Sequence, residues 1–234
     1  MITFVFPNEY PWSLAFYKLC VLDFFSKTSF DNFCYMDTDI YVQNSFEHIW
    51  KECQSHILLY DINHGLQIPN YIDFCEEVAE FTGNKSYFIT HYGGEFYAGN
   101  YSNTQIFIKT MKSIYSRIHE KNFMTHKGDE FILSLAASET TVPIKNAGAY
   151  IHRFWTGVSF RLISTCYKYD AVSVLHLPAE KEYGMLKLFD FLLKGKIDNI
   201  KKEKVWKICH LSKITLKMRV IIIFLSLRKI VQGE

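Results

Sequence analysis

The spacing of apolar residues along the chain predicts an alternation of helices and strands. Apolar residues recur about every 3.6 positions over 14–25 and 104–119, which is typical of helices with one buried face. Shorter helices are predicted over 45–53, 69–82 and 130–137, and strands over 32–42, 56–60, 87–97, 142–147 and 172–177. Gly93 and Gly94 are expected to break the strand material around them. This order predicts an α/β fold in which helices flank a mixed central sheet.

The chain ends in a basic segment that is predicted to be helical. Residues 194–234 contain eleven lysines and arginines and three acidic residues, interleaved with apolar residues such as Trp206. This pattern predicts an amphipathic helix that lies on an anionic membrane surface, or a helix that packs on the body or in a dimer. The longest apolar run, 220–225, is far shorter than the roughly 18 residues of a membrane span. We therefore divide the chain into a body, 1–193, and a basic tail, 194–234.

Composition and charge narrow the class of protein. The sequence is 49% hydrophobic and 17% aromatic, which excludes a disordered chain and a coiled coil. The formal net charge of +2 comes from the tail, so the body is mildly acidic. This balance argues against nucleic-acid binding and suits a body that handles a metal ion or a neutral substrate. The first residues lack the features of a signal peptide, and we expect a cytoplasmic protein, peripheral on the inner face of the membrane.

Two aspartates, Asp37 and Asp39, interrupt a very apolar stretch of the predicted strand 32–42. Burying two carboxylates costs free energy unless a partner neutralises them. A hard divalent cation does so, and residues two apart in an extended segment point to the same side. We therefore predict a site for Mn²⁺ or Mg²⁺ here. The alternative is a solvated turn, or a capping pair for the helix that follows residue 45.

Three ordered motifs carry a resemblance to known enzymes. The segment FCYMDTDIYV resembles the Asp-x-Asp strand of metal-dependent, nucleotide-sugar glycosyltransferases with the GT-A fold. The segment HYGGEFYAGN, 91–100, resembles the acceptor and sugar loop of the retaining glycosyltransferase family 6, the histo-blood-group transferase family. Gly128-Asp129-Glu130 resembles that family's His-Asp-Glu triplet, which also precedes a helix. Family 8, which shares the Asp-x-Asp strand, is the nearest alternative relative.

The resemblance implies a role for each carboxylate. Asp37 and Asp39 would hold the metal against the diphosphate of the donor, which is expected to be a UDP-hexose. Glu130 would be the nucleophile, or the carboxylate that stabilises an oxocarbenium-like transition state. Asp129 would bind a hydroxyl of the acceptor or the donor. An acidic first turn of the following helix is the alternative for both Asp129 and Glu130.

The glycine pair and its neighbours are the implied sugar site. Gly93 and Gly94 would let the backbone approach the sugar closely. The side chains implied to hydrogen-bond sugar hydroxyls are Glu95, Tyr97 and Asn100. Glu95 stands where the family has a small residue that helps to choose the sugar, which leaves the identity of the donor open. An ordinary turn between strands is the alternative for the glycine pair.

Three basic residues complete the implied site. Lys18 lies near the position where the family places an arginine for the donor; a solvated helix lysine is the alternative. His176 and Lys181 resemble the C-terminal histidine and lysine that other retaining GT-A enzymes direct to metal and diphosphate. His176 would be the third metal ligand and Lys181 a phosphate contact. His152 competes with His176 as the third ligand.

The implied function is transfer of a hexose from a nucleoside-diphosphate sugar to a glycan or lipid-linked acceptor, with retention of configuration, in surface polysaccharide synthesis. Only 36 residues precede Asp37, so we expect the N-terminal nucleotide-binding unit to be incomplete. The second hypothesis is therefore a catalytically inactive GT-A remnant that acts as a membrane-associated interaction subunit. A metal-dependent phosphoesterase is disfavoured because the sequence lacks the further histidine and aspartate ligands of a two-metal site.

Overall fold

Two compact units make up the chain, and the computed structural model describes residues 17–28, 30–64, 69–85, 88–156, 172–211 and 220. The first unit comprises Met1–Asp37 and Phe46–Ala149, and the second comprises Thr38–Ser45 and Tyr150–Glu234. The helices are α1 (Tyr17–Phe25), α2 (Ile49–Cys53), α3 (Pro69–Thr82), α4 (Tyr101–Glu120), α5 (Asp129–Glu139), α6 (Gly184–Leu193) and α7 (Lys202–Ile208). The strands are β1 (Asn32–Met36), β2 (Ile40–Val42), β3 (Ile57–Asp61), β4 (Tyr92–Asn100), β5 (Ile144–Asn146), β6 (Ile151–Arg153) and β7 (Val174–His176). The α/β class predicted from the sequence is confirmed.

The first unit is built on a four-stranded mixed sheet with the order β1-β4-β3-β5. β4 pairs antiparallel with β1 and with β3, and β5 runs parallel to β3. Every residue of β3 is buried, as its continuous apolar sequence predicts. α4 and α5 pack on β4. The core of this unit includes Phe33 stacked on Tyr97, with ring centroids 5.6 Å apart.

The helices of the first unit follow the spacing of their apolar residues. α3 covers the range predicted from the sequence and ends just before Gly83, whose φ of +74° suits the residue after a helix. α4 begins three residues earlier than predicted because the side chain of Asn100 accepts a hydrogen bond from the N–H of Asn103. α5 begins at Asp129, one residue before the predicted start.

The glycine pair does not interrupt its strand, so that part of the prediction is wrong. Gly93 and Gly94 both lie inside β4, which runs unbroken between β1 and β3. Gly93 pairs with Tyr60 of β3, which keeps this part of the strand extended. The ladder between β3 and β4 is irregular here: Leu59 pairs with Tyr97 and the next residue, Tyr60, pairs with Gly93, so the three residues of β4 from Gly94 to Phe96 face no residue of β3.

The second unit has a smaller, three-stranded mixed sheet with the order β2-β7-β6. β2 pairs antiparallel with β7, and β6 runs parallel to β7. The segment 32–42, predicted as one interrupted strand, therefore divides into β1 and β2, which belong to different sheets. The core of this unit includes Phe154, Leu175, Leu188 and Val205.

The first part of the basic tail packs into the second unit. Val205, Cys209 and Leu211 on and after α7 are buried in its core, whereas the lysines at 201, 202, 204 and 207 are exposed. For this part of the tail, the apolar side is covered by protein. The rest of the predicted tail helix, apart from Val220, lies outside the described residues. None of the helices in the described ranges is both long and apolar enough to cross a membrane.

Candidate active site

Lys18 joins two carboxylates in the first unit. Its amine on α1 lies 3.3 Å from Oδ1 of Asp37, just after β1, and 3.0 Å from Oδ2 of Asp129, at the start of α5. Tyr35 donates a hydrogen bond of 2.9 Å from its hydroxyl to Oδ1 of Asp37. The Asp129 side chain is only 13% exposed. The structure thus brings together Lys18, Asp37 and Asp129, three residues that the sequence placed in the site.

Burial and charge shift the ionisation of this group of residues. Burial raises the pKa of Asp129 to about 6, with further contributions from the negative charges of Glu130 and Asp37, although Lys18 opposes the shift. Burial lowers the pKa of Lys18, but the attraction of Asp129 and Asp37 outweighs it, so the net shift is upward. At neutral pH Lys18 is therefore the positive centre between two carboxylates.

Because the pKa of Asp129 is raised in the folded state, the free energy of unfolding is expected to depend on pH. Its folded-state pKa of about 6 exceeds the ordinary aspartate value of 3.8, so the folded state binds this proton more tightly than the unfolded state. The stabilisation from Asp129 is therefore full below about pH 4 and is lost as the pH rises through about 6. The loss corresponds to about 3 kcal/mol, because each tenfold change in proton affinity is worth about 1.4 kcal/mol.

Urea unfolding of the wild type and of Asp129→Asn at several pH values between 4 and 7 measures this loss. The stability of the wild type relative to the variant should fall as the pH rises, because asparagine does not titrate. A difference that is flat or that rises with pH would show that Asp129 is not held in a desolvated site.

Gly94 on β4 makes room for this ion pair. A Cβ added at Gly94 would lie 1.9 Å from Oδ2 of Asp129 and 2.6 Å from Nζ of Lys18. No side chain can occupy that position unless Lys18 and Asp129 separate. The close approach expected at this glycine is thus made to the Lys18–Asp129 pair.

Gly94→Ala is accordingly expected to lower the free energy of unfolding by about 1–3 kcal/mol. The overpacked methyl group has to push a buried charge away from its partner. Gly148→Ala is the matched control, because its Cβ would meet only the exposed side chain of Asn146, at 3.2 Å. Equal losses in the two variants, measured by urea unfolding, would contradict the role given to Gly94.

Glu130 is the second residue of α5 and contacts a buried histidine. Its Oε2 lies 3.1 Å from Nε2 of His91, and its side chain is 24% exposed. The structure places Glu130 beside Asp129, whose ionisation it influences. Glu130 is thus a partly exposed carboxylate at the start of a helix, next to the Lys18 group.

Two other residues of the implied sugar site lie along β4 itself. Gly93 pairs with Tyr60 of β3 and is buried. Glu95 is 1% exposed, and its carbonyl oxygen accepts a hydrogen bond of 3.1 Å from the N–H of Asp37. This hydrogen bond holds the start of the Asp-x-Asp segment against β4. The implied sugar loop is therefore a strand of the sheet.

Tyr97 and Asn100 have structural roles. Tyr97 is 2% exposed within the core, and its hydroxyl shares a hydrogen bond of 2.7 Å with Thr104. Asn100 caps α4 with its side-chain oxygen, and its Nδ2 donates to the carbonyl oxygen of Gln54. Because these polar groups are already engaged, sugar hydroxyls would have to displace protein contacts at both positions.

Asp39, His176 and Lys181 form a second group within the second unit. Oδ2 of Asp39 lies 3.3 Å from Nε2 of His176 at the end of β7, and 3.3 Å from Nζ of Lys181. Asp39 and His176 are 2% and 4% exposed, whereas the Lys181 side chain is 61% exposed. The N–H of Leu177 donates to the carbonyl oxygen of Asp39 at 2.9 Å and fixes the segment beside β7. Three further predicted site residues thus meet.

The Asp39 carboxylate is ionised, but within the described part of the chain its oxygens lack the hydrogen bonds that a buried carboxylate usually accepts. Burial would raise its pKa, but the neighbouring His176 and Lys181 outweigh that effect and lower the pKa to about 2. Neither carboxylate oxygen accepts a well-aligned hydrogen bond from the described residues. A buried carboxylate in this state has coordination capacity left for a further cationic partner.

An apolar groove extends from this group along α6. It has a volume of about 490 Å³ and is lined by Asp39 and Lys181, together with Tyr41, Met185, Phe189 and other residues of the second unit. Phe189 is 54% exposed. The groove gives the charged group an open approach on the side of α6.

The sequence patterns did not predict Tyr35 or His91 at the site, and they left open which of two histidines lies beside Asp39. Tyr35 sits two positions before Asp37 in an extended strand, so strand alternation could have placed it on the same side. No local signal pairs His91 with Glu130, because the contact joins distant parts of the chain.

Of the two candidate histidines, His176 lies beside Asp39, whereas the ring of His152 packs edge-on against Phe154 at 4.5 Å.

Comparison with solved structures returns sugar-transferring enzymes. Mouse xyloside xylosyltransferase 1, in its apo form, has a TM-score of 0.46 at 10% identity, with 70% of this chain and 62% of that chain covered. An active-site mutant of LgtC has a TM-score of 0.47 at 15% identity, with 87% and 74% covered. The galactosyltransferase LgtC with donor and acceptor sugar analogs has a TM-score of 0.48 at 16% identity, with 86% and 73% covered.

This chain thus spans less than two thirds of the length of the mouse enzyme. No protein-family model matches the sequence, and no curated protein matches it.

Proposed function

We propose that this chain is a metal-dependent glycosyltransferase that moves a hexose from a nucleoside-diphosphate sugar, such as a UDP-hexose, to a glycan or lipid-linked acceptor. The observation that carries the proposal is the state of Asp39. Its carboxylate is buried and ionised, and its two oxygens lack well-aligned hydrogen bonds from the described residues. An imidazole nitrogen and an exposed amine lie beside it. This set suits a divalent cation and a phosphate bound next to each other.

The residues proposed to hold Mn²⁺ or Mg²⁺ are Asp39, His176 and Asp37. Carboxylate oxygens and an imidazole nitrogen are ordinary ligands for such ions. One residue, Thr38, separates the two aspartates, so covalent geometry alone keeps their Cα atoms within about 7 Å. When bound, the ion neutralises negative charge on the diphosphate as the bond to the sugar breaks.

The protein's own cations are proposed to bind the diphosphate. Lys181 is mostly exposed while its amine contacts Asp39, so it can reach a phosphate oxygen without leaving the site. Lys18 is proposed to act near the donor as well, since it holds Asp37 and Asp129 in place and supplies a positive charge that burial does not remove.

The proposed sugar site lies along β4 and the start of α5. Gly93, Gly94 and Glu95 would form its back wall behind Lys18 and Asp129, and Asp129 would bind a sugar hydroxyl. Glu130 is proposed as the catalytic carboxylate, which stabilises positive charge on the sugar from the face opposite the departing diphosphate, so that the configuration is retained. Tyr97 and Asn100 are left out of these contacts because their polar groups already bind protein.

A thermal-shift screen of nucleotide sugars, each with and without Mn²⁺, tests the proposal. Ligand binding to the folded state raises its stability, by about 2.7 kcal/mol at a concentration 100 times the dissociation constant. We expect one nucleoside-diphosphate hexose to raise the unfolding temperature only when Mn²⁺ is present. The nucleoside monophosphates, which lack the second phosphate, are the control. No response to any donor would contradict the proposal.

The tail is proposed to hold the protein at the inner face of a membrane, where the acceptor for surface polysaccharide synthesis would be found. The exposed lysines at 201, 202, 204 and 207 support this, because basic residues bind anionic lipid headgroups. Flotation with anionic vesicles should recover the full chain, and replacing these four lysines with glutamine should weaken recovery. Equal recovery with neutral vesicles would contradict binding through the lysines, and no recovery with either vesicle would leave the tail with a packing role only.

A further inference from the structure

His91 is held in place at the edge of the proposed sugar site. It directly precedes β4 and is 3% exposed. Its ring stacks on Phe74 of α3, with centroids 4.0 Å apart and an angle of 7° between the planes. Its carbonyl oxygen accepts a hydrogen bond of 3.1 Å from the N–H of Ile62. Both the ring and the backbone of His91 are therefore held by the surrounding protein.

The two nitrogens of the ring have different surroundings. Nε2 lies 3.1 Å from Oε2 of Glu130. Nδ1 is buried and has no hydrogen-bond partner within the described ranges of the chain. An ionised carboxylate only accepts hydrogen bonds, so Nε2 must be the donor. A proton on Nδ1 as well would bury an N–H with no acceptor, which is rare in folded proteins.

We propose that His91 is a positioning residue for Glu130: the Nε2–H tautomer of a fixed imidazole donates to Oε2 and orients the carboxylate for reaction. The inference rests on the catalytic role proposed above for Glu130. The hydrogen bond anchors the carboxylate of Glu130 at Oε2. It also keeps the carboxylate from turning when the donor binds, which preserves the geometry that the reaction needs.

A matched pair of variants separates this role from packing. His91→Phe keeps an aromatic ring against Phe74 but removes the donor. His91→Gln removes the ring but carries an amide N–H that can donate at about the position of Nε2. We expect His91→Phe to lower kcat about tenfold to a hundredfold, with KM for the donor unchanged within about twofold. His91→Gln should recover most of the loss.

A double-variant cycle tests whether the loss of kcat in His91→Phe acts through Glu130. Residues that act as a unit give non-additive losses. In the Glu130→Gln background, His91→Phe should therefore lower the remaining rate by less than about twofold. Packing alone predicts the opposite pattern: His91→Gln would be the more damaging variant, and the losses would add.

Nitrogen-15 NMR of histidine-labelled protein tests the contact without any reaction. The signal of His91, identified by its loss in His91→Gln, should show a protonated Nε2 and an unprotonated Nδ1. An Nδ1–H tautomer, or a rapidly averaging ring, would overturn the proposal. So would a His91→Phe enzyme with wild-type kcat. If the tautomer is as expected but the wild type transfers no sugar, the proposed function fails and the catalytic meaning of the contact fails with it.

Discussion

Asp39→Asn is expected to abolish metal-dependent cleavage of the donor, with a fall in kcat/KM of at least about 1,000-fold. The change keeps the shape of the side chain but removes the negative charge that His176 and Lys181 surround. Metal ions supply several kcal/mol of charge stabilisation in reactions of this kind, and about 1.4 kcal/mol corresponds to a factor of ten. Hydrolysis of nucleoside-diphosphate hexoses at saturating Mn²⁺ measures the loss.

Asp190→Asn is the matched control for this prediction. Asp190 lies on α6 of the same unit, its side chain is 59% exposed, and its partner is Lys194 four residues along the helix. We expect wild-type activity from this variant, because an exposed ion pair contributes little. Residual activity in Asp39→Asn that still responds to Mn²⁺ would show that the metal binds elsewhere.

Glu130→Gln should stop transfer while the donor and the metal still bind. The amide is similar in size to the carboxylate and can accept the hydrogen bond from His91, but it carries no charge to stabilise the sugar cation. We expect kcat to fall by about 1,000-fold or more, since removal of a charge that acts only in the transition state lowers kcat rather than binding. Calorimetric titration of the variant should give the wild-type affinity for donor with Mn²⁺.

Glu139→Gln controls for the loss of a charge from the same helix. Glu139 is the last residue of α5, is 31% exposed and pairs with Arg117 at 2.7 Å. Its variant should transfer at the wild-type rate. If Glu130→Gln also transfers normally, Glu130 is only an acidic residue at a helix start. The proposal that the sugar keeps its configuration would then lack the catalytic carboxylate on which it depends.

Local features of the fold were predictable because local interactions determine them. α3 agrees with its predicted range, since the periodicity of its apolar residues and the glycine that follows it act within a few residues. The continuity of β4 was not predictable in this way. Whether a glycine pair breaks a strand depends on the neighbours of that strand, and β1 and β3 come from distant parts of the chain. The division of 32–42 between two sheets has the same origin.

The candidate site shows the same division between local and long-range information. The motifs pointed to Asp37, Asp39, Asp129 and Glu130, which the structure places at or next to the ends or starts of elements. They could not show that Lys18 bridges Asp37 and Asp129, because that contact joins α1, the end of β1 and the start of α5, which are far apart in the sequence. Tyr97 was also placed in the sugar site from the motif alone, although its side chain belongs to the core.

Proton NMR of the purified protein with a nucleoside-diphosphate hexose, an acceptor or water, and Mn²⁺ tests the central claim most directly. It follows cleavage of the donor and reads the configuration of the first-formed sugar in a single experiment. We predict that the sugar is released or transferred with the configuration it had in the donor, that EDTA stops the reaction, and that Mn²⁺ restores it. No cleavage of any donor in the presence of Mn²⁺, or cleavage that EDTA leaves unchanged, would contradict a metal-dependent glycosyltransferase and favour an inactive interaction subunit or a different reaction.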